Sequence, residues 1–174
     1  FKANDGVHGD RVYRLGGTPE QIEAVLDFNA DVNTDLGFNF LENVGGALYF
    51  TVGGNPADDG LYVTSAGGEY ISKIWDAADW DYLVWSGFKG MFYYTRYDPA
   101  YGLEIWRTSG PPNIYLYKDI SPGPRGSNPL ALAPCGVSLC ISADDGQHGT
   151  ELWMTNGISG TFTYLAGDLN QRPM

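Results

Sequence analysis

Short runs of alternating apolar and polar residues fill this chain, each about five residues long and each bounded by Gly, Asn, Asp or Pro. Near the C-terminus, 129–133 alternates up to a Cys-Gly turn and 137–142 follows it. An Asp-Asp-Gly loop then leads to 151–155, and an Asn-Gly turn leads to 161–165. Period-two alternation predicts half-buried strands, and the Gly, Asn and Asp clusters predict the turns between them. The same reading places strands at 38–41, 47–52, 61–64 and 70–74, and again at 82–85, 91–94, 104–107 and 114–117.

These groups of four repeat. Arg11-Val-Tyr-Arg-Leu-Gly-Gly-Thr18, Leu61-Tyr-Val-Thr-Ser-Ala-Gly67, Glu104-Ile-Trp-Arg-Thr-Ser-Gly110 and Glu151-Leu-Trp-Met-Thr-Asn-Gly157 align on Tyr13, Tyr62, Trp106 and Trp153. An Asp beside an apolar residue closes each unit: Asp27, Asp76, Asp119 and Asp168. Ahead of the aromatic stands Asp-x-x-(His or Tyr)-Gly, at Asp5–Gly9, Asp98–Gly102 and Asp145–Gly149, shortened to Asp58-Asp-Gly60 in the second unit. Four short strands per unit of roughly 47 residues is the spacing of a β-propeller blade. The expected fold is therefore all-β: a single propeller-like region over 1–174, with four-stranded antiparallel repeats at about 1–34, 35–79, 80–121 and 122–174. Phe1-Lys-Ala3 matches the end of a second strand, so the first blade is expected to be incomplete. An open arc, or a piece of a larger ring, is the expectation. A β-sandwich is the alternative, although it requires no such period.

Composition narrows the class. Gly 24 and Pro 10 in 174 residues argue against a helical bundle. Phe 8, Tyr 12 and Trp 5 argue against disorder. With Lys+Arg 10 against Asp+Glu 21, the net charge of −11 disfavours phosphate-rich partners, so neither nucleic acid nor membrane insertion is expected. No run of 18 apolar residues is present.

Glu151-Leu-Trp-Met-Thr-Asn-Gly157 resembles the ELWxTDGT repeat of hyalin-like secreted or surface-attached proteins. Ser142-Ala-Asp-Asp-Gly-Gln-His-Gly149 resembles the "ADDGxHG" stretch that precedes it there. Lys118-Asp-Ile-Ser-Pro-Gly123 with Gly126-Ser-Asn-Pro129 resembles the family's connector. The likeness is close in the third and fourth units and loose in the first two, where Arg11 and Gly60 stand in place of Glu. It implies an extracellular or cell-surface propeller-type module with an adhesive or structural role, and it attaches no catalytic residue.

Each candidate site has a plain structural alternative. Asp144, Asp145 and Glu151 are oxygen donors suited to calcium, but Asp-Gly loops also serve simply as turns. The loops are similar as well to the Asp-box of sialidase-type propellers, a hairpin brace. His8 and His148 share a repeat position that Tyr101 takes in the third unit, which favours packing over metal ligation. Tyr13, Tyr62, Trp106 and Trp153 are expected to fill wedges between blades. Trp75, Trp80, Tyr82, Tyr97 and Tyr101, with acidic neighbours such as Asp76, form either core or an exposed patch able to stack on sugars or proteins. Cys135 and Cys140 flank a short turn within disulfide reach, or else stay as buried thiols. No nucleophile elbow, phosphate loop or zinc motif occurs. The expected function is non-catalytic adhesion or assembly through other subunits or further blades. A carbohydrate-binding module or, further off, a propeller glycoside hydrolase fragment is the alternative.

Overall fold

The computed structural model describes residues 2–4, 6–7, 10–15, 22–24, 37–53, 58–66, 70–76 and 83–169. Among these there is no α-helix. The regular structure is antiparallel strand, with one 3-10 turn at Gly160–Phe162 capped by the Ser159 hydroxyl. The all-β expectation holds. The chain divides into two compact units, Phe1–Ala78 and Asp79–Met174.

In the first unit β1 (Lys2–Asn4), β2 (Asp10–Leu15) and β3 (Ile22–Ala24) make a three-stranded sheet. There β4 (Gly37–Val44), β5 (Ala47–Gly53), β6 (Gly60–Thr64) and β7 (Ile71–Trp75) make a four-stranded one. The second unit holds β8 (Trp85–Phe88), β9 (Met91–Asp98), β10 (Gly102–Thr108) and β11 (Ile114–Lys118). Its other sheet is β12 (Ala131–Cys135), β13 (Ser138–Asp144), β14 (Thr150–Thr155) and β15 (Thr163–Gly167). Every sheet is a meander in chain order.

Two-residue turns start each four-stranded sheet. Gly45-Gly46 and Lys89-Gly90 take positive φ at both positions, 62° and 86° in one and 49° and 74° in the other. That pattern matches the strand twist of a tight hairpin. Gly136 (φ 66°) with Val137 joins β12 to β13. These turns explain two shifts from the sequence expectation. The first strand of the third sheet runs 85–88 and not 82–85, because Phe88 must sit opposite Met91 across the turn. The first strand of the fourth runs 131–135, because Cys135 pairs with Ser138.

One irregularity recurs. The ladder between the last two strands shifts register between Leu61 and Tyr62, between Ile105 and Trp106, and between Leu152 and Trp153. The extra residue on the outer strand is Ile74, Tyr117 or Ala166. Such a bulge bends the strand and sharpens its twist immediately before the aromatic. Asp76, Asp119 and Asp168 each follow directly on the last strand of their sheet. Asp27 lies outside the described residues.

Apolar packing joins sheets within each unit. In the first, Val12 of β2 meets Phe50, Val52 and Tyr62, with the Phe50 and Tyr62 rings stacked at 5.8 Å. In the second, Phe88, Tyr93, Ile105 and Tyr117 of one sheet meet Leu139, Ile141 and Ala143 of the other, and Trp153 packs against them. Each such side chain contributes about 1.5–3 kcal/mol on burial. Tyr62 and Trp153 therefore lie between sheets. Tyr13 is half-buried, and Trp106 lies beneath the Arg96 guanidinium, 4.5 Å from the ring centre.

Polar groups lock the same interface in the second unit. The turn at Asn156-Gly157 is gripped from the neighbouring sheet: Lys89 Nζ donates to the Asn156 carbonyl and Tyr93 Oη to that of Gly157. Arg107 Nη1 donates to the carbonyls of both Gly157 and Ile158. Tyr117 Oη and Thr155 Oγ1 share a buried 2.5 Å hydrogen bond.

Candidate interaction surface

The connector after β11 determines what lies at one end of the second unit. Its backbone bonds to both sheets: Asn128 N–H donates to the Leu103 carbonyl, Asp144 N–H to that of Ser127, and Leu130 N–H to that of Ser142. Gly126 presses so closely on Gly102 that a Cβ on either would collide with the other's backbone. Both glycines also hold positive φ, at 67° and 68°. Only glycine meets both demands.

Glu104 anchors this connector from beneath. It is fully buried, accepts the Ser121 N–H at 3.0 Å and the Ser127 hydroxyl at 2.6 Å. Burial raises its carboxyl above the ordinary range, and the bonds from Ser127, Ser121 and Ile120 pull the other way without cancelling that rise. Glu151 does the same for its own sheet, accepting the Leu169 N–H at 3.0 Å while 3% exposed. In the second sheet Gly60 takes this place. A side chain there would run into Lys73, which instead pairs with Asp76 at 2.5 Å.

Held in this way, the connector projects Arg125 over the Asp144-Asp145-Gly146 loop. Arg125 Nη2 lies 2.7 Å from Asp144 Oδ2, and a Cβ on Gly146 would come within 2.5 Å of Arg125 Nη1. Asp144 Oδ1 also accepts the Gly146 N–H, as Asn4 Oδ1 accepts that of Gly6 in the first sheet. Asp145 Oδ1 accepts from Gln147 and His148 N–H, and its Oδ2 lies 2.7 Å from His148 Nδ1. Burial pushes the Asp145 carboxyl up, but the His148 and Gln147 N–H groups and the His148 ring outweigh it and hold it below the usual carboxylate range. The bond to Asp145 lifts the His148 imidazole above its ordinary value against slight desolvation, and the charges of Asp168 and Glu151 add to the rise.

The three residues expected as calcium donors are engaged with protein partners in this geometry. Asp144 is paired with a guanidinium, Asp145 is used by its own loop, and Glu151 is buried against the chain leaving β15. Among the described residues no three His, Cys, Asp or Glu side chains are placed to hold a metal ion.

Of the expected aromatic patch, Tyr97 and Tyr101 are 58% and 37% exposed, at the β9–β10 turn. Asp98 Oδ1 accepts the Ala100 N–H there, the counterpart of the Asp145 turn. Trp75 belongs to the first unit, where it is half-buried at the end of β7. Trp80, Tyr82 and His8 lie outside the described residues. The Gly102–Gly126 contact and the Arg125–Asp144 pair bring three loops together, so Tyr97, Tyr101, Arg125 and His148 rise from one end of the second unit. The sequence reading missed Arg125 and the anchoring role of Glu104. Glu at the same place in two units was the available signal for the latter.

Cys135 and Cys140 are disulfide-bonded, with Cα atoms 5.8 Å apart. Among the described residues no helix is long and apolar enough to cross a membrane. Comparison with protein-family models, curated proteins and solved structures finds no match to this chain.

Proposed function

We propose that this chain is a non-catalytic, extracellular module of propeller type, its sheets successive blades, which serves adhesion or structural assembly through contacts with other protein. The meander topology, the recurring bulge and the sheet-on-sheet packing within each unit support the blade reading. The disulfide fits an oxidising compartment.

The single observation that carries the interaction reading is the three-loop end of the second unit. Tyr and Arg are the residue types over-represented in protein interfaces; here Tyr97 and Tyr101 stand exposed at the β9–β10 turn, and Arg125 stands exposed on the connector whose backbone is bonded into both sheets. Pre-ordered loops lose little entropy on binding. With a net charge of −11 the module favours partners carrying basic groups.

Sedimentation velocity on the chain alone, and on mixtures with a polylysine-type basic protein, tests this. Association that weakens in a Tyr97→Ala/Tyr101→Ala variant of unchanged melting temperature supports the surface. Association indifferent to that variant counts against it. The second reading, carbohydrate binding, draws on the same exposed tyrosines beside an arginine and a histidine. Glycan-array binding abolished by Tyr101→Ala would favour it, and turnover of a chromogenic glycoside would overturn the non-catalytic reading altogether.

A further inference from the structure

The hairpin that opens each four-stranded sheet carries the same diagonal pair of side chains. One residue ends the first strand and the other lies on the second strand, two places beyond the residue opposite. The pairs are Val44 with Tyr49, Phe88 with Tyr93, and Cys135 with Cys140. The first two are bulky and buried: Val44 and Tyr49 are 7% and 1% exposed, Phe88 and Tyr93 7% and 0%. The Phe88 and Tyr93 rings lie 6.4 Å apart within the core of the second unit. The third pair is half-buried and covalent.

The rest of that face changes in step. Where the third sheet has buried Ile105 and Tyr117, the fourth has Leu152, 42% exposed, and Ala166. Pro134 in β12 cannot donate to a further strand, as befits an edge. The opposite face of the same hairpin is different: Leu132, Leu139 and Ile141 pack into the shared core.

We propose that the Cys135–Cys140 disulfide stands in for the bulky apolar packing used in the preceding sheets, and that it makes the β12–β13 hairpin a redox-sensitive element. A dithiol reductant supplies two electrons and two protons. The S–S bond breaks, two cysteine thiols form, and the reductant becomes a disulfide. The hairpin tip then keeps its backbone ladder and the Gly136-Val137 turn but has lost the covalent link on its outer face. The side chains facing the core stay where they are, so the loosening is local.

Hydrogen exchange followed by mass spectrometry, with and without dithiothreitol, reads this directly. Amides in 131–142 are expected to exchange about tenfold faster after reduction, with those in 91–108 unchanged. A Cys135→Ala/Cys140→Ala variant should show the fast rate without reductant and no further change with it. Equal rates in 131–142 before and after reduction, or acceleration spread evenly over 91–108, would overturn the proposal. Both results are independent of whether the three-loop surface binds anything.

Discussion

Glu104 and Ser127 stand 23 residues apart in the chain yet share a buried 2.6 Å hydrogen bond, the deepest tie between the third sheet and the connector that leaves it. Through that bond a strand residue sets the course of a loop, and the loop sets the position of Arg125. Truncation at Glu104 leaves the Ser121 N–H and the Ser127 hydroxyl without their acceptor. Glu104→Ala is expected to cost about 2–4 kcal/mol in urea melts.

The pH dependence of the same residue follows from its raised folded-state pKa. A carboxyl raised by burial stabilises the fold fully below the unfolded value and loses that contribution as pH climbs through the folded one. Glu104→Gln keeps the neutral shape. Relative to the parent chain, this variant should therefore gain stability on going from pH 4 to pH 8. Parallel stability curves for the two proteins would contradict the account.

His148 and Asp145 act in opposite directions. The Asp145 contribution is present above the ordinary carboxylate value and disappears as pH falls through its lowered one. That of His148 is present below the ordinary imidazole value and is lost as pH rises through its raised one. The loop is therefore best held between these limits. An NMR titration should place the His148 imidazole above its unperturbed range, and Asp145→Asn should lower it toward that range.

Two glycines separate backbone strain from crowding. Gly157 holds φ 75°, and a Cβ there would lie 2.7 Å from the Phe88 ring, whereas Gly136 holds φ 66° with open space around it. Gly157→Ala is expected to cost about 2–4 kcal/mol, and Gly136→Ala about 1 kcal/mol. Thermal melts of the two variants should rank in that order.

The hydroxyls of Tyr117 and Thr155 couple the two sheets of the second unit. Tyr117→Phe removes one partner and should cost about 1–2 kcal/mol. Thr155→Val should cost more, because its oxygen also accepts the Gly157 N–H at 3.3 Å. A double-mutant cycle should show coupling of about 1 kcal/mol, and strict additivity would dismiss the link.

Several of these features were visible before any fold was known. The alternation at 47–52, 91–94 and 151–155 marks strands, and the aligned Tyr62, Trp106 and Trp153 mark positions that turn out to follow a bulge in each sheet. The Cys135–Cys140 spacing suited a tight hairpin. The partners of the expected calcium donors could not be read from any spacing. Asp144, Asp145 and Glu151 lie close in the chain, but strand pleating turns Glu151 inward while the two aspartates, partly buried, stay with the loop and its partners. Arg125, 19 residues from Asp144, claims one of them.

What the order of residues determined on its own was local: where the chain extends, where it turns, and which positions recur. Those follow from backbone sterics and from the period of two that a pleated strand imposes on its side chains. Only the tertiary structure decided the partners of the polar groups. Hydrogen bonds such as Glu104 to Ser127, or Arg107 to the Gly157 carbonyl, depend on loops passing close in space, and distance along the chain carries no record of that.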